Sequence, residues 1–236
     1  MDFRIQSEEL KTFLAGATKR YHESLSGSPA QEYLERRGLL SPESKEALSL
    51  FRIGYVDKPL PGHEMYQGWM SIPYLRKGPS NDGPMNGWSV ATMKFRCIKD
   101  HDCEQVHPKM GKYMSHPGAD THLFNTLDIQ NSARMGGEIA ICEGEIDAIV
   151  AHLCGIYAVA VPGVKNWKDR YYRLFKGFKI VWIFADGDSW GEGLAKKLAE
   201  GMGDKIRVIN MPPGEDVNSM VLKHGKQALL KGIGRE

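Results

Sequence analysis

The sequence contains no uninterrupted apolar run of the roughly 18 residues that a membrane-spanning helix needs. Its start, Met1-Asp2-Phe3-Arg4, lacks the charged and apolar pattern of a secretory signal. Only 4 of the 236 residues are cysteines, which favours free thiols or metal ligands over a framework of disulfides. We therefore expect a cytoplasmic protein with no membrane partner.

A strong excess of charge of either sign is also missing. The formal net charge is +2, with 25% charged and 42% apolar residues, which is the composition of a globular protein and not of a disordered or fibrous chain. A nearly neutral net charge neither supports nor excludes nucleic acid as a binding partner, because the negative charge of an acidic metal site can offset the positive charge of a basic binding face. The length permits one or two domains.

Two apolar segments end abruptly at acidic residues. Residues 139–142 precede Glu143, and residues 180–185 precede Asp186 and Asp188. Continuous apolar runs followed by helical patterns are typical of parallel strands buried on both faces, whose carboxyl ends meet at one edge of the sheet. Adjacent carboxylates repel one another without a cation or protons, and their oxygens suit Mg²⁺ or Mn²⁺. The pattern predicts a metal site at that edge.

Strand and helix patterns alternate through the second half of the sequence. The predicted elements are strand 138–142, helix 145–154, strand 157–161, helix 167–175, strand 178–184, helix 191–202 and strand 205–210. Repeated strand–helix units predict a parallel sheet with right-handed crossovers.

The first half has a mixed pattern. Apolar spacing predicts helices within residues 1–25 and 30–37 and a third one opening at Ser41-Pro42, with Gly38 ending the second. Alternation at period two predicts strands at 69–74 and 89–96, and the composition of residues 78–84 predicts a hairpin loop between them.

Four segments carry a resemblance to a known family. Ile141-Cys142-Glu143-Gly144-Glu145-Ile146-Asp147-Ala148, followed by Phe184-Ala185-Asp186-Gly187-Asp188, resembles the Toprim domain shared by DnaG-type primases, topoisomerases and some nucleases. Tyr33-Leu34-Glu35-Arg36-Arg37-Gly38-Leu39 and Gly111-Lys112-Tyr113-Met114-Ser115-His116-Pro117 are similar to parts of the DnaG-type RNA polymerase core. The alternative is an ordinary doubly wound sheet whose strand-end acids are solvated.

The resemblance implies an α/β fold with two domains. Residues 138–236 are expected to form a Toprim catalytic domain, with a parallel sheet flanked by helices. Residues 1–137 are expected to form the mixed α+β subdomain of the DnaG-type core, with basic residues that face the template and the triphosphate.

The resemblance also implies which residues are catalytic. Glu143, Asp186 and Asp188 are expected to be the catalytic carboxylates, and together with Asp216 they are expected to bind two Mg²⁺ or Mn²⁺ ions. Glu143 is either a metal ligand or a general base, and the sequence leaves both roles open.

Two further residues are expected to support the carboxylates. Asp147 lies one helical turn after Glu143, and the alternative is that it only stabilises the first turn of its helix. Asn218 stands where the family's Gly-x-Asp-Pro-Asp turn has its second acid, and Val217 replaces the proline. Because an amide offers an oxygen without charge, one metal position is expected to be weaker than in relatives.

Four basic residues are candidates for binding the template or the triphosphate. Arg96 and Lys112 match basic residues of the family, and Lys94 and Lys109 lie close to them in sequence. The alternative is that they are solvated residues of a surface loop. Two other cations of the family are replaced here, by Trp69 and Thr126.

Two cysteines and two histidines alternate within a short segment: Cys97, His101, Cys103 and His107. These residue types bind Zn²⁺, although their spacing fits no common zinc finger. The alternative is an exposed loop whose thiols and imidazoles are free.

The function expected from the resemblance is that of a minimal, phage-like DnaG-type primase core. Such a core makes short RNA primers on single-stranded DNA from ribonucleoside triphosphates during DNA replication, in the host cytoplasm if a phage encodes it. A replicative helicase and a separate zinc-binding protein for template recognition are the expected partners.

Two other functions stay open. A Toprim nuclease would use the same metal ligands to hydrolyse phosphodiesters, and a catalytically weak Toprim module would only recruit other proteins. Asn218 and the two replaced cations favour the recruitment module, whereas the complete set of Glu143, Asp186 and Asp188 favours an enzyme. A topoisomerase would also need a tyrosine-bearing breakage domain.

Overall fold

A computed structural model of the chain describes residues 6–77, 87–108, 110–161 and 166–235. The chain divides into two units, Met1–Asp120 and Thr121–Glu236. Residues 121–137 group with the second unit, and the predicted domain boundary at residue 138 stays a prediction. Among the helices in the described ranges, none combines the length and the apolarity needed to cross a bilayer.

The first unit opens with three helices that follow the predicted order. Ser7 accepts a hydrogen bond from the Leu10 amide at the start of the first helix, and Ser28 caps the second. The third begins later than predicted because Ser41 and Ser44 bond to each other's amides in a turn before it. The helices are α1 (Glu8–Glu23), α2 (Pro29–Arg36) and α3 (Lys45–Ser49).

A four-stranded antiparallel sheet completes the first unit, in the order β1-β2-β3-β4. Its strands are β1 (Gly54–Tyr55), β2 (Met70–Lys77), β3 (Trp88–Arg96) and β4 (Tyr113–Ser115), with a short helix, α4 (Cys103–Val106), before β4. The pairing of β2 with β3 confirms the predicted hairpin, whose predicted loop at 78–84 lies outside the described residues.

The second unit is built on a parallel sheet in the order β6-β5-β7-β8. Its strands are β5 (Glu138–Cys142), β6 (Ala158–Ala160), β7 (Ile180–Ala185) and β8 (Ile206–Asn210). The helices around it are α5 (Leu127–Met135), α6 (Glu145–Leu153), α7 (Ser189–Met202), α8 (Val217–His224) and α9 (Lys226–Gly232). The predicted α/β class and the predicted parallel sheet are confirmed.

The core of this unit lies between the central strands and the elements that cover them. Ile141 of β5 and Ile183 of β7 are fully buried and belong to one apolar cluster with Leu198 of α7. The segment predicted as a helix at 167–175 is instead a 3₁₀ helix, Asp169–Phe175. Its aromatic side chains are poor α-helix formers, and their packing in the core determines the local backbone.

The strand order contains a reversal that creates a crevice. From β5 the chain passes through α6 to β6 on one side, and it then returns to form β7 on the other side of β5. In open α/β sheets ligands bind at such a reversal, outside the carboxyl ends of the two strands. The residues that follow β5 and β7 are Glu143 and Asp186.

Candidate active site

The structure brings the two predicted strand-end acids into contact. The β5 strand ends at Cys142 and the neighbouring β7 strand ends at Ala185, so the next residue of each strand lies at the same sheet edge. The amide of Asp186 donates a hydrogen bond of 3.2 Å to Oε1 of Glu143. This bond orients the Glu143 carboxylate towards the turn that carries Asp186.

The turn after β7 packs backbone to backbone against the segment before α8. The Gly187 amide donates to the Glu215 carbonyl, and the Gly214 amide donates to the Gly187 carbonyl, both at 2.9 Å. A Cβ atom at Gly187 would overlap the carbonyl oxygen of Pro212. Glycine is therefore required here, and the close approach brings the Asp216 segment to the same edge as Asp186.

Asp216 has a structural role that the sequence did not reveal. It is the N-cap of α8, and its Oδ1 accepts a 2.6 Å hydrogen bond from the Ser219 amide. The Ser219 hydroxyl accepts in return from the Asp216 amide, at 3.0 Å. One carboxylate oxygen is thus engaged by the helix terminus, and the role of Asp216 as a metal ligand stays a prediction.

Asp147 and Asn218 connect α6, which follows Glu143, to α8, which follows Asp216. Asp147 in the first turn of α6 is buried, and its Oδ1 accepts a 3.0 Å hydrogen bond from the amide of Asn218, which is also buried. A Cβ atom at Gly144 would lie 2.6 Å from Oδ2 of Asp147, so glycine leaves room for this carboxylate. The supporting role of Asp147 towards the metal ligands stays a prediction.

Four other carboxylates lie near Asp186, and their charges help to raise its pKa. Burial, followed by the charges of Asp147, Glu143, Asp216 and Asp188, raises the pKa of Asp186 to about 8. The pKa of Glu143 is also raised, mainly by burial and further by Asp188, although the amide of Asp186 opposes this shift.

The environment of Asp186 fits a cation. Its Oδ1 atom is buried and has no hydrogen-bond partner among the described residues. A buried, unsatisfied carboxylate oxygen is costly, and hard divalent cations prefer such oxygens. Within the described part of the chain, no three of these carboxylates offer oxygens that all lie within 4.8 Å of one another. Binding of an ion would therefore require their side chains to move closer.

A separate basic cluster forms in the first unit on β3 and β4. Lys94 and Arg96 are two residues apart on β3 and so share one face, where Arg96 lies opposite Tyr113 of β4. The Arg96 guanidinium is 4.6 Å from the centre of the Tyr113 ring and 5.1 Å from that of Tyr33. Arg96 is only 5% exposed, which contradicts the alternative of a solvated surface residue at this position.

Lys112 and Arg37 extend the basic cluster. Burial lowers the pKa of Lys112, and the neighbouring charges of Arg96 and Arg37 lower it further. Sequence reasoning did not assign Arg37 to the site, although Arg37 lies in one of the segments that resemble the DnaG-type core. The predicted Lys109 lies outside the described residues.

Two other sequence candidates are placed in the first unit. Trp69 is 4% exposed, and its ring packs against those of Tyr66 and His107, so it is a residue of the core. The four residues of the predicted zinc cluster come together, with one ligand atom from each lying within 4.8 Å of the others: Cys97, His101, Cys103 and His107.

Comparison with known proteins extends these observations. A family model described as Toprim-like matches residues 140–221. The Gene 57 protein of Mycobacterium phage D29 is 43% identical over 169 residues, which are 72% of this chain and 100% of that protein. The DNA primase of Escherichia coli (strain K12) is 26% identical over 261 residues, covering 95% of this chain and 43% of that primase. The chain thus spans less than half the length of that primase.

A solved structure shows the same fold across nearly the whole chain. The DnaG primase catalytic domain bound to ssDNA matches with a TM-score of 0.71 at 22% identity, over 94% of this chain and 77% of that one. The crevice between β5 and β7, with its strand-end carboxylates, lies inside the Toprim-like region. By its match over the whole Gene 57 protein, the chain belongs to the family of that phage protein; it contains a Toprim-like region and is similar to DnaG-type primases in sequence and to their catalytic cores in fold.

Proposed function

We propose that this chain is a primase core, which synthesises short RNA primers on single-stranded DNA by metal-dependent nucleotidyl transfer during replication. The observation that carries the proposal is the buried, unsatisfied Oδ1 of Asp186 in a crevice with four other carboxylates. The primase relatives support the reaction class, and Toprim-type primases depend on metal in general.

The carboxylates of this crevice are suited to hold two Mg²⁺ or Mn²⁺ ions. Glu143, Asp186 and Asp188 are the proposed principal ligands, with Asp216 contributing through the oxygen that does not cap α8. Held by these residues, divalent ions would supply the positive charge that activates the 3′ hydroxyl and neutralises the leaving pyrophosphate. Asp147 holds α8 against α6 and so keeps the two acid-bearing segments together.

Glu143 is placed to act on the attacking hydroxyl. The amide of Asp186 fixes one of its carboxylate oxygens at 3.2 Å. Its raised pKa makes it a better proton acceptor near neutral pH than an ordinary glutamate. We therefore propose that Glu143 either binds metal or acts as the general base for the 3′ hydroxyl.

The basic cluster of the first unit supplies the anion-binding groups. Arg96 offers a planar guanidinium that can bind phosphate bidentately, while Lys112, Lys94 and Arg37 offer further positive charge. We propose that these residues contact the triphosphate or the template backbone. The ssDNA bound to the related DnaG catalytic domain supports a single-stranded DNA partner.

The remaining partners follow from this assignment. A primase requires ribonucleoside triphosphates as substrates, and we extend the proposal to a replicative helicase, to a separate zinc-binding protein that recognises the template, and to action in the cytoplasm of the host. Addition of a candidate helicase to a primer-synthesis assay tests the first extension as a rise in primer yield.

Primer synthesis on mixed-sequence single-stranded DNA tests the proposal. Labelled ribonucleotides and Mg²⁺ or Mn²⁺ are incubated with the wild type and with the Glu143→Gln, Asp186→Asn and Asp204→Asn variants. We expect labelled oligoribonucleotides from the wild type, a loss of roughly 100-fold or more in the first two variants, and no loss in Asp204→Asn, which changes an exposed acid outside the crevice.

Other outcomes would replace the proposal. Cutting of the DNA that depends on metal and on Asp186, without oligoribonucleotide products, would establish a nuclease. If the protein neither makes primers nor cuts DNA, and Mg²⁺ or Mn²⁺ does not stabilise it, the remaining function is that of a module that recruits other proteins.

A further inference from the structure

The residues Cys97, His101, Cys103 and His107 lie between the end of β3 and the start of β4. Cys97 directly follows β3, and its amide donates a 3.0 Å hydrogen bond to the Lys112 carbonyl just before β4. Cys103 and His107 are four residues apart across α4, so one helical turn places both side chains on the same face. The local fold therefore directs all four side chains to one point.

The distances within this cluster match a tetrahedral metal site. Cys97 Sγ is 3.5 Å from His101 Nε2, and the Nε2 atoms of His101 and His107 are 3.1 Å apart. For Zn–S and Zn–N bonds of usual length, a tetrahedron places sulfur and nitrogen about 3.6 Å apart and two nitrogens about 3.3 Å apart. These two pairs are close to this spacing before any side chain moves, and one ligand atom from each of the four residues lies within 4.8 Å of the others.

The hydrogen bonding of His107 prepares its Nε2 atom for a metal. Its Nδ1 atom lies 2.7 Å from the Met110 carbonyl, which can only accept, so Nδ1 carries the proton and Nε2 presents a lone pair. Metal-binding histidines commonly donate their second N–H to a carbonyl in this way. His101 Nε2 faces both His107 and Cys97, and a single N–H cannot donate to both.

Burial of the thiols argues against the exposed loop that the sequence left open. Cys97 is 2% exposed and Cys103 is 8% exposed, and the Trp69 ring packs 5.4 Å from that of His107. Polar groups that are enclosed in this way need partners that satisfy them. Two thiolates and two imidazoles satisfy one ion together.

We propose that Cys97, His101, Cys103 and His107 bind one Zn²⁺ ion in a closed structural site. Two sulfur and two nitrogen ligands in tetrahedral arrangement select zinc over the hard cations that suit the carboxylate crevice. Four protein ligands complete the coordination sphere, which is the pattern of structural sites, whereas catalytic zinc sites keep one position for water or substrate.

The position of this site indicates what it stabilises. In the sequence, the four ligands lie between Arg96 and Lys112, two residues of the basic cluster. A bound ion would therefore stabilise the connection from β3 to β4 that carries these two residues. Loss of zinc should therefore weaken binding of anionic ligands. This consequence for activity rests on the proposed function, but zinc binding does not.

Metal analysis of the whole 236-residue chain tests the site independently of activity. The wild type, purified without chelator, is compared with Cys97→Ser, Cys103→Ser and the matched control Cys154→Ser by mass-spectrometric metal content. We expect about one zinc per chain in the wild type and in Cys154→Ser, and at least a tenfold lower content in the two cluster variants. Zinc well below one per chain in the wild type, or unchanged content in both cluster variants, would overturn the proposal.

Cobalt substitution of the wild type keeps the test decisive if the serine variants do not fold. After removal of zinc, Co²⁺ should give the visible bands of tetrahedral cobalt together with thiolate charge-transfer bands, and added Zn²⁺ should abolish both. A spectrum of octahedral cobalt would show that the four residues form only a hydrogen-bonded cluster. Primer synthesis is measured separately, so a failed primer assay leaves the zinc result intact.

Discussion

At the scale of single residues, Asp186 opposes the folding of the metal-free protein. Its pKa rises to about 8 because it is buried among other carboxylates, whereas the unfolded chain has the ordinary value near 3.8. Between these two pH values the folded protein binds a proton that the unfolded chain does not bind. The stability of the metal-free protein should therefore fall as pH rises through this window.

Asp186→Asn is expected to stabilise the metal-free protein while it abolishes activity. Asparagine removes the buried charge that appears near pH 8, so we expect the free energy of unfolding in chelator at that pH to rise by about 1–2 kcal/mol, or roughly 2–6 °C in Tm. Thermal unfolding with and without Mg²⁺ measures both effects, since added Mg²⁺ should stabilise the wild type but not the variant. Asp204→Asn is the control, and a variant less stable than the wild type under these conditions would contradict the assignment.

His63 should produce the opposite dependence on pH. It is fully buried, with Nδ1 2.9 Å from the Tyr21 hydroxyl and Nε2 2.9 Å from His116 Nδ1. Burial and the nearby His116 lower its pKa to about 4, so between pH 4 and 6.5 the unfolded chain binds the extra proton. This contribution is complete above pH 6.5 and is lost as pH falls towards 4.

Urea unfolding of His63→Gln across pH 4.5–7.5 tests this linkage. The variant should be less stable overall, but its stability should depend less on pH below 6.5, by up to about 1.4 kcal/mol per pH unit. The exposed His224 gives the control His224→Gln, which should keep the wild-type slope. Equal slopes in the wild type and His63→Gln would show that His63 does not titrate as its burial requires.

The residues that the sequence identified share a local signal. Glu143 and Asp186 each follow an apolar strand, and the parallel sheet then brings them together. Arg37 has no such signal, because it joins Arg96 and Lys112 only through packing between distant segments. The cap role of Asp216 depends on where α8 begins, which composition alone did not show.

At the scale of structural elements, the turn after β7 determines how the acid-bearing segments meet. Gly187 contacts the backbone before α8 so closely that any side chain would force the two segments apart. Gly193 of α7 is exposed, and outside its chain neighbours and the backbone of its own helix no atom lies within 4 Å of the position that a Cβ atom would occupy. Alanine substitution at these two positions therefore compares a glycine whose contacts exclude a side chain with one that has room for it.

Gly187→Ala should separate the carboxylates, and Gly193→Ala should not. We expect Gly187→Ala to lower the free energy of unfolding by about 1–3 kcal/mol and primer synthesis by at least tenfold. Gly193→Ala should instead stabilise the protein by up to about 1 kcal/mol, because alanine is the better helix former, and should retain activity. Primer yield and urea midpoints measure both effects, and full activity in Gly187→Ala would show that the close turn is dispensable.

The elements were predicted best where packing and local pattern agree. The strands β5, β7 and β8 were found within two residues because their apolar runs are continuous or end at clear turn residues. The segment Asp169–Phe175 was predicted with the wrong helix type, because its backbone follows the burial of Tyr171 and Phe175. The spacing of apolar residues indicates which side chains are buried. It does not predict which type of helix a short aromatic segment adopts when it packs in the core.

At the scale of the whole molecule, the second unit begins before its first parallel strand. Phe124 forms an antiparallel bridge with Ala160 of β6, and the Asn125 side chain donates a 2.8 Å hydrogen bond to the Ala158 carbonyl. Buried Asp128 of α5 accepts from the Ala158 amide at 3.0 Å and pairs with His152 of α6 at 2.7 Å. Sequence patterns could not show these contacts, because they join segments with no common periodicity.

The two boundaries predict fragments of different stability. A fragment of residues 121–236 keeps the contacts of Phe124, Asn125 and Asp128, whereas a fragment of residues 138–236 exposes the edge of β6 and leaves His152 without its carboxylate partner. The lost burial and hydrogen bonds amount to about 3–6 kcal/mol, which is a large fraction of the stability of a domain of this size. We expect the longer fragment to unfold cooperatively in urea and the shorter one to be largely unfolded by circular dichroism. Equal midpoints for the two fragments would place the start of the folding unit at residue 138, where the sequence predicted the catalytic domain to begin.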